Sequence, residues 1–329
     1  MKGVDLSVVV VTWNTRRLAL ECLEALERET ERCRRRAPWI ESEIAVVDNG
    51  SSDGTADAIR SRFPRARVVR LARNAGFAAG ANAGLRRARG RVVLLLNSDT
   101  RVQPGALAAC VGYLDRHPDV GIVGPQLLHS DGSRQNSVHH FPRLVAELLP
   151  KGLLQLLFRR RFPSQRWTRA DGPIDVEAVS GAALFARREL VREVGPLSER
   201  YFFFLEETDW CWRARSSGWR VVHLPAARVV HHLGASSKRP HPALTRIEYH
   251  RSLYRFYRER RGSVSMAMVL SLRFAKALLY VVTQAPFAVV DSRRRRRWRA
   301  HCAVFAWHLR GCPASVGLQQ LSPGEAGAA

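Results

Sequence analysis

The most informative stretch of this sequence reads Ile44-Ala45-Val46-Val47-Asp48-Asn49-Gly50-Ser51-Ser52-Asp53-Gly54-Thr55. Its first four residues are apolar and mostly β-branched, which is typical of a buried strand. A polar, glycine-rich cluster follows at once, and residues 55–63 then have the pattern of a helix. A buried strand, a polar turn and a helix in this order form the repeating unit of α/β proteins.

The same alternation covers the first 125 residues. We predict strands at Leu6–Val11, Ile44–Val47, Arg67–Leu71, Arg91–Leu96 and Val120–Val123. We predict helices at Arg16–Arg35, Thr55–Phe63, Phe77–Arg89 and Pro104–His117. Strands this apolar, separated by helices, indicate an α/β fold with a mainly parallel central sheet that is covered on both faces.

The rest of the chain is organised differently. Residues 126–175 are less regular, and we interpret them as a long insertion. Order returns at Val176–Arg187 and continues to His232. From about residue 248 the chain looks helical and strongly basic, and Ser322–Ala329 looks like a frayed tail. The sequence therefore predicts two parts, residues 1–247 and residues 248–329.

Composition and charge limit the class of protein. The 329 residues include 53 Lys and Arg against 29 Asp and Glu, a net charge of +24, and 46% are hydrophobic. That apolar content supports a sizeable core and argues against a mainly disordered chain. Half of the charge surplus lies in residues 251–311. The six cysteines have no C-x-x-C spacing, so a disulfide scaffold or a zinc ribbon is disfavoured and a reducing cytosol is expected.

Two common nucleotide-binding motifs are missing. No G-x-G-x-x-G follows the first strand, which disfavours a dinucleotide fold, and the absence of G-x-x-x-x-G-K-[ST] excludes a P-loop. Gly80 and Gly84 lie on one face of a predicted helix, where we expect them to allow close packing on the sheet. Asn74 and Gly76, at the entry to that helix, are better candidates for touching a ligand.

Two acids stand at the ends of apolar strands. Asp48 and Asp99 are both placed at the carboxyl edge of the predicted sheet, where α/β sheets bind their ligands. A carboxylate in that position needs a partner to offset its desolvation, and a divalent metal or a donor group of a sugar or base would serve. The alternative is that each acid caps the turn that follows it. Because both acids border one crevice, we favour a functional site.

A third polar cluster, Glu206-Glu207-Thr208-Asp209, lies between an aromatic run and a predicted helix. Adjacent carboxylates raise each other's pKa, which suits a general base. Thr208 or Asp209 could instead cap the helix. His231 ends a later apolar segment, and beside carboxylates on neighbouring strands it is a plausible metal ligand.

In these segments the chain resembles the family 2 inverting glycosyltransferases of GT-A fold, in the bacterial rhamnosyltransferase-like branch. The resemblance spans residues 6 to about 235. It is carried, in the family's order, by residues 8–14, 46–55, 73–82, 94–100, 180–182 and 202–213 and by His231. It implies a GT-A (nucleotide-diphospho-sugar transferase) fold for residues 1–247, with a donor half at about 1–125 and an acceptor half at about 176–235. Residues 248–329 would form a basic, partly amphipathic helical extension.

The resemblance also implies roles on the donor side. Asp48 would hydrogen-bond the nucleotide base, with Thr12 and Asn14 in the same pocket. Residues 97–99 resemble the metal-binding D-x-D motif with Asn in its first position, so Asp99 and His231 are the expected metal ligands. Further donor contacts are expected at Asn49, Asn74, Gly76, Asn97 and Ser98.

On the other side of the reaction, Glu207 resembles the catalytic base, with Glu in place of the commoner Asp. Because of that difference, Glu206 and Asp209 stay open as alternates. The expected acceptor-side residues are Ser180, Gly181 and Trp210.

The implied activity is transfer of a sugar, with rhamnose as the first candidate, from a dTDP- or UDP-linked donor. The acceptor would be a hydroxyl of a glycan or lipid-linked molecule in cell-surface polysaccharide synthesis, and the cofactor Mg²⁺ or Mn²⁺. One alternative is a nucleotidyltransferase, but residues 12–15 are not the Gly- and basic-rich phosphate loop that it requires. Another is a non-catalytic basic protein that binds nucleic acid or a membrane. The charge allows this, yet the basic residues form no recognisable nucleic-acid module, so we expect no nucleic-acid partner.

Residues 264–290 are rich in apolar side chains but are interrupted by Arg273, Lys276 and Pro286. A spanning helix needs roughly 20 largely apolar residues, and the uninterrupted piece is shorter. The basic run at residues 293–299 follows directly. We therefore expect a segment that lies on an anionic membrane surface, at the inner face of the cytoplasmic membrane. The alternative is a helical cap on the catalytic domain.

Overall fold

The structure is a computed structural model that describes residues 3–149, 171–232 and 241–321. The predicted frayed tail at residues 322–329 lies outside the described residues. Contacts divide the described chain into two units. The sheet unit comprises residues 3–141, 171–200 and 206–232, and the helical unit comprises residues 142–149, 201–205 and 241–321.

The strands lie mainly in one sheet. They are β1 Leu6–Thr12, β2 Ser42–Asp48, β3 Arg67–Arg70, β4 Val92–Asn97, β5 Thr100–Val102, β6 Val120–Leu128, β7 Val138–His139, β8 Ile174–Asp175, β9 Ala178–Val179, β10 Ala183–Arg187 and β11 Arg220–His231. The order in the large sheet is β3-β2-β1-β4-β10-β6-β11-β5, with β8 also paired to β11. β7 and β9 form a separate two-stranded sheet.

The helices follow the strands in the alternating order that the sequence predicts. They are α1 Arg16–Arg36, α2 Thr55–Arg62, α3 Phe77–Leu85, α4 Ala106–Arg116, α5 Leu144–Leu148, α6 Arg188–Val194, α7 Glu206–Ser216, α8 Pro242–Arg260, α9 Ser263–Val290 and α10 Ser292–Leu309. A short 3-10 helix lies at Leu318–Gln320.

The predicted fold class is confirmed, because six of the nine strands in the large sheet run in the same direction. β3, β2, β1 and β4 run parallel to one another, and so do β6 and β11. β10 runs antiparallel between β4 and β6, and β5 and β8 run antiparallel to β11. Of these strands, β5 follows the end of β4 and pairs with the end of β11, and that pairing bears on the site.

The central strand β1 is buried along its whole length, so helices must cover both of its faces. Val8 and Val10 belong to the main apolar cluster together with α1 residues such as Leu23 and Leu26. On the other face, a Cβ at Gly84 of α3 would lie 2.2 Å from Cγ1 of Val9. The close helix-to-sheet packing expected of this glycine therefore has a direct steric basis.

Two predicted boundaries were wrong by several residues. α3 ends at Leu85 rather than Arg89, because the backbone N–H groups of Arg89 and Gly90 donate to Oγ of Ser7, at 3.0 and 2.8 Å, in a turn that returns the chain to the sheet. β6 continues to Leu128, since its second half pairs with β11 at Arg228–Val230. The predicted insertion therefore begins inside a strand.

The helical unit has its own apolar core, which α8, α9 and α10 share. It contains Ile247, Leu253, Tyr254, Tyr257, Val269, Ala277, Val304 and Trp307. The Asp291 side chain caps α10 by accepting the backbone N–H of Arg293 at 2.8 Å. All of α8 belongs to this unit.

α9 is one continuous helix of 28 residues that includes Pro286. By length and composition alone, this helix could cross a membrane, and it is the one such helix among the described residues. Only 11% of its most apolar 18-residue stretch is buried. Its exposed large apolar side chains are Val264, Met268, Leu278, Leu279, Val282, Phe287 and Val289. At 3.6 residues per turn all of these except Phe287 share one face, which we call the apolar stripe. Arg273, Lys276 and Tyr280 lie on the opposite face.

Candidate active site

The sheet register brings the predicted donor-side residues to one edge of the sheet unit. Thr12 at the end of β1 is paired with Asp48 at the end of β2. On its other side, Val11 is paired with Asn97 at the end of β4. The carboxyl ends of three neighbouring strands therefore meet, as ligand sites of parallel sheets require.

Three hydroxyl groups join two of these strand ends. Oγ1 of Thr12 lies 2.9 Å from Oγ1 of Thr15, which in turn lies 2.9 Å from Oγ of Ser98. All three side chains are buried. Thr12 and Ser98 therefore fix the floor of the site through Thr15, a residue that the sequence did not single out.

Asp48 is the buried acid of this edge. Its side chain is fully enclosed, and its Oδ1 accepts the backbone N–H of Ser51 at 3.1 Å. Its Oδ2 is buried without a hydrogen-bond partner among the described residues, and Nε of Arg70 is 3.6 Å away. An unsatisfied buried carboxylate oxygen is costly, so this atom fits a donor group of a bound ligand such as a nucleobase N–H.

The loop after β2 is held against the loop before α3 by an asparagine. Nδ2 of Asn49 donates to Oδ1 of Asn74 and to the carbonyl oxygen of Gly76, both at 3.0 Å. Gly50 makes this approach possible, because its φ is +78° and a Cβ there would lie 2.5 Å from the backbone of Arg73. The buried Asn49 amide is thus engaged within the protein and supports the loop.

Asn14 has a similar supporting position. Its φ is +49°, a left-handed conformation that Asn tolerates better than most residues. Its backbone N–H donates to Oγ of Ser51 at 2.9 Å, and its Oδ1 accepts the backbone N–H of Ser52 at 2.8 Å. Asn14 therefore links the loops that follow β1 and β2.

The two predicted metal ligands are adjacent. β5 pairs with the end of β11 so that His231 faces Thr100, and the backbone N–H of His232 donates to the Asp99 carbonyl oxygen at 2.9 Å. Nε2 of His231 lies 3.4 Å from Oδ1 of Asp99. The antiparallel pairing of β5 with β11 thus joins residues that are 132 positions apart in the sequence.

Gln135 orients the histidine, and no sequence pattern indicates that role. Nδ1 of His231 lies 2.7 Å from Oε1 of Gln135, and Nε2 of Gln135 donates to the His231 carbonyl oxygen at 3.1 Å. Since an amide oxygen only accepts, Nδ1 carries a proton, and in the neutral ring Nε2 is the nitrogen that can bind a metal beside Asp99. Partners of this kind fix the tautomer and ring orientation of metal-binding histidines.

This pair fits a divalent cation. A carboxylate oxygen and an imidazole nitrogen suit Mn²⁺, and Mg²⁺ is commonly bound by one or two protein ligands together with substrate phosphates. Within the described ranges, no group of three or more His, Cys, Asp and Glu side chains could hold a metal. Asp99 and His231 would therefore bind the ion together with phosphate oxygens of a ligand.

Glu207, the predicted base, lies at the start of α7. Its side chain is partly exposed, although its carboxyl group is deep among protein atoms. Burial raises the pKa of Glu207, and the backbone N–H groups of Glu207, Thr208 and Gly181 offset this only in part. A raised pKa suits a carboxylate that must accept a proton. Gly181 lies against the Glu207 side chain, since a Cβ at Gly181 would be 3.4 Å from Cβ and Cγ of Glu207.

The residues just before α7 have an unusual backbone. Phe204 and Leu205 have φ values of +72° and +65°. Such values are genuine outliers for bulky residues, and strain of this kind clusters at functional sites.

The contacts of the neighbouring residues favour structural roles. Asp209 is fully buried, and its Oδ2 accepts Nε of Arg213 at 3.0 Å. Trp210 is also fully buried, with its indole N–H donating to the Gly195 carbonyl oxygen at 2.9 Å. The expected acceptor contact of Trp210 is therefore replaced by packing. Glu206 is buried as well, whereas Ser180 is partly exposed beside Gly181.

The fold agrees with solved structures of sugar transferases. A mannosyltransferase from Pyrobaculum calidifontis, in complex with GDP-Man and Mn²⁺, aligns with a TM-score of 0.55 at 19% identity over 94% of this chain and 87% of that one. GalNAc-T7 with UDP, GalNAc and Mn²⁺ aligns with a TM-score of 0.52 at 16% identity over 78% of this chain and 48% of that one. The architecture is the GT-A fold of the nucleotide-sugar glycosyltransferases.

The chain belongs to Glycosyl transferase family 2, whose sequence profile matches residues 7–195. It is 30% identical over 273 residues to the N-acetylglucosaminyl-diphospho-decaprenol L-rhamnosyltransferase of Mycobacterium tuberculosis, covering 78% of this chain and 84% of that protein. It is 22% identical over 252 residues to the dTDP-rhamnosyl transferase RfbF of Shigella flexneri, covering 76% of this chain and 77% of that protein. The chain is thus a glycosyltransferase, which confirms the predicted enzyme class over both alternatives.

Proposed function

We propose that this protein is a metal-dependent inverting rhamnosyltransferase. Its donor would be dTDP-rhamnose, with UDP-sugars as the competing donors, and its acceptor a hydroxyl of a lipid-linked glycan used in cell-surface polysaccharide synthesis. The main support for metal-dependent chemistry is the 3.4 Å distance between Nε2 of His231 and Oδ1 of Asp99. Gln135 orients the histidine ring through Nδ1. The rhamnosyl donor and the lipid-linked acceptor are supported by the names of the two relatives.

Each side chain has a defined task in this proposal. Oδ2 of Asp48 accepts an N–H of the nucleobase, which fixes the donor at the sheet edge. Asp99 and His231 would hold the divalent cation, which would neutralise charge on the diphosphate. Glu207 accepts the proton of the acceptor hydroxyl, and the oxygen of that hydroxyl bonds to the anomeric carbon as the bond to the diphosphate breaks. Attack from the face opposite the leaving group inverts the anomeric centre, as it does in inverting glycosidases.

We further propose that the protein acts in the cytoplasm, attached peripherally to the inner face of the cytoplasmic membrane. The apolar stripe of α9 supports this, because contiguous exposed apolar surface marks interaction sites. Arg273 and Lys276, the cations that interrupt the apolar segment, bond to Glu147 on the opposite face of α9. The exposed arginines at residues 293–297 follow at the start of α10 and suit an anionic surface.

The test is a transfer assay on the purified full chain. dTDP-rhamnose or a UDP-sugar is incubated with a diphospho-polyprenol carrying N-acetylglucosamine, with Mn²⁺, Mg²⁺ or EDTA, and released nucleotide and glycolipid product are measured. We expect turnover with dTDP-rhamnose that EDTA abolishes, and a product of inverted anomeric configuration by NMR. Asp99→Ala and His231→Ala should be folded and inactive. Undiminished transfer in EDTA would refute the metal dependence, and a preference for a UDP-sugar would refute the assigned donor.

A further inference from the structure

The helical unit contains a cavity that is lined by none of the residues assigned to sugar transfer. Its volume is about 180 Å³. Three helices line the cavity. The polar lining consists of Arg246 and His250 of α8, Arg273, Lys276 and Tyr280 of α9, and His301 of α10.

The charge of this cavity is not balanced by the residues around it. The carboxylate of Glu147 in α5 forms an ion pair with Arg273, with Oε2 2.6 Å from Nη2. The backbone carbonyl oxygen of Glu147 accepts a hydrogen bond from Nζ of Lys276. Arg246 is exposed and makes no ion pair with the described part of the chain. Three permanent cations thus face one carboxylate, and an anion would relieve their mutual repulsion.

Two lining residues also carry unsatisfied donors or acceptors. Nε of Arg273 and Nδ1 of His250 are both buried without a hydrogen-bond partner among the described residues. Buried polar atoms are rarely left unpaired, because each costs the free energy of its desolvation. An oxygen-rich ligand in the cavity would pair with Nε of Arg273.

The histidines are neutral in this setting. Burial, followed by the neighbouring Arg273, His308 and Arg246, lowers the pKa of His250 to about 3. Burial and Arg246 lower the pKa of His301 to about 4, and its ring stacks on Tyr280 with centroids 3.7 Å apart. Neutral imidazoles can still donate one N–H each, so the cavity offers donors beyond its cations.

We infer that this cavity is a binding site for a phosphate or diphosphate group. Guanidinium and ammonium groups converging on one space are the usual recognition elements for phosphate oxygens. Sites for drug-sized ligands occupy roughly 300–1,000 Å³, so this smaller cavity suits a headgroup and not a whole nucleotide-sugar. The headgroup of a phospholipid or polyprenol and free inorganic phosphate or pyrophosphate share this chemistry. The inference stands without the proposed transfer reaction, whose residues all lie in the sheet unit.

The first experiment measures binding of inorganic pyrophosphate to the full chain by calorimetry in EDTA, in an Asp99→Ala background that removes the predicted metal ligand of the donor site. Arg246→Gln should weaken binding by about tenfold or more, since it removes a charged donor from the cavity. The matched control is Arg258→Gln, because Arg258 is exposed on the same helix but does not line the cavity. Its dissociation constant should stay within about twofold of the parent.

The second experiment separates the sources of the phosphate group. Vesicles of phosphatidylcholine with equal fractions of either phosphatidic acid or phosphatidylglycerol are compared in a flotation assay. A preference for phosphatidic acid that Arg246→Gln removes and Arg258→Gln keeps identifies a lipid headgroup. Arg246-dependent pyrophosphate binding without that preference identifies the free anion. Equal pyrophosphate binding in both variants, or none in the parent, would overturn the inference, whatever the outcome of the transfer assay.

Discussion

Glu207 combines partial exposure with a carboxyl group whose pKa burial raises. Glu207→Gln keeps the size and polarity of the side chain but cannot accept the acceptor's proton. We expect kcat to fall by about 10²- to 10⁴-fold with donor binding unchanged. Single-turnover transfer and equilibrium dTDP binding measure the two effects. If Glu206→Gln is inactive and Glu207→Gln is active, the base is one residue earlier than proposed.

The same pKa shift has consequences for pH. The acid limb of the kcat/KM profile should lie above the ordinary carboxyl range, because Glu207 must be ionised to act. A raised pKa in the folded state means that the folded protein binds the proton more tightly than the unfolded chain. Stability from this group is therefore present at low pH and is lost as pH rises through the folded pKa. Glu207→Gln should thus raise Tm at neutral pH, and an unchanged or lower Tm would contradict the shift.

Gln135 should control metal affinity without touching the metal. Gln135→Leu removes the acceptor of the His231 Nδ1 proton, so the ring loses its fixed tautomer and orientation. Loss of such a partner typically costs 10- to 100-fold in metal affinity. The Mn²⁺ concentration for half-maximal transfer should rise by about that factor, while kcat at saturating Mn²⁺ changes much less. Gln319→Leu, an exposed change in the helical unit, is the control. An equal metal requirement in both variants would remove Gln135 from the site.

Sequence patterns place the acids of the candidate site at the sheet edge more readily than they indicate the residues that contact those acids. Asp48 and Asp99 were predictable, because an acid that ends an apolar strand must reach the ligand edge of the sheet. Gln135 was not, since its importance depends on contact with a histidine 96 positions later. The family resemblance predicts an acceptor contact for Trp210, because the neighbouring residues match the family pattern. In the structure its position on α7 faces the core, and the side chain is fully buried.

At the scale of elements, α3 can approach β1 because of its glycines. A Cβ at Gly84 would meet Cγ1 of Val9 at 2.2 Å, and one at Gly80 would meet Cγ1 of Val11 at 2.9 Å. Gly84→Ala should therefore lower the free energy of unfolding by about 1–3 kcal/mol, although Ala is the better helix former. Urea denaturation measures this, with Gly80→Ala as the milder case.

A double-mutant cycle tests whether sterics cause the effect. In the Val9→Ala background the clashing methyl groups are gone, so Gly84→Ala should become neutral or stabilising. If Gly84→Ala costs the same free energy in both backgrounds, the packing explanation is wrong.

The parallel strands were predictable for a local reason, and the antiparallel strands were not. β1, β2 and β4 each contain a run of at least four consecutive apolar residues, which is typical of a sheet covered on both faces. β5 has three residues and β8 has two, so neither contains a pattern that identifies a strand or its partner. The pairing of β5 with β11, which creates the Asp99–His231 pair, is a tertiary contact with no local signature.

At the scale of the whole molecule, the charge surplus and the apolar stripe lie in one part of the chain. The net charge of +24 does not by itself indicate a partner. The exposed arginines after α9 follow directly on a helix with exposed Leu279 and Val282. Basic residues near an apolar helix face add electrostatic attraction to burial at an anionic membrane.

This arrangement predicts membrane attachment that depends both on burial of the apolar stripe and on electrostatic attraction by the arginines. Leu279→Glu places a charge in the apolar stripe, and because burying a Leu is worth roughly 1.5–3 kcal/mol, vesicle binding should fall by about tenfold or more. Gln319→Glu, which adds the same charge at an exposed site off α9, should bind as the parent does. Flotation with vesicles containing phosphatidylglycerol measures both, and raising the salt to about 1 M should release the parent by screening its arginines. A protein that resists high salt and alkaline washing would instead have α9 across the bilayer, and equal flotation of both variants would remove the stripe from membrane attachment.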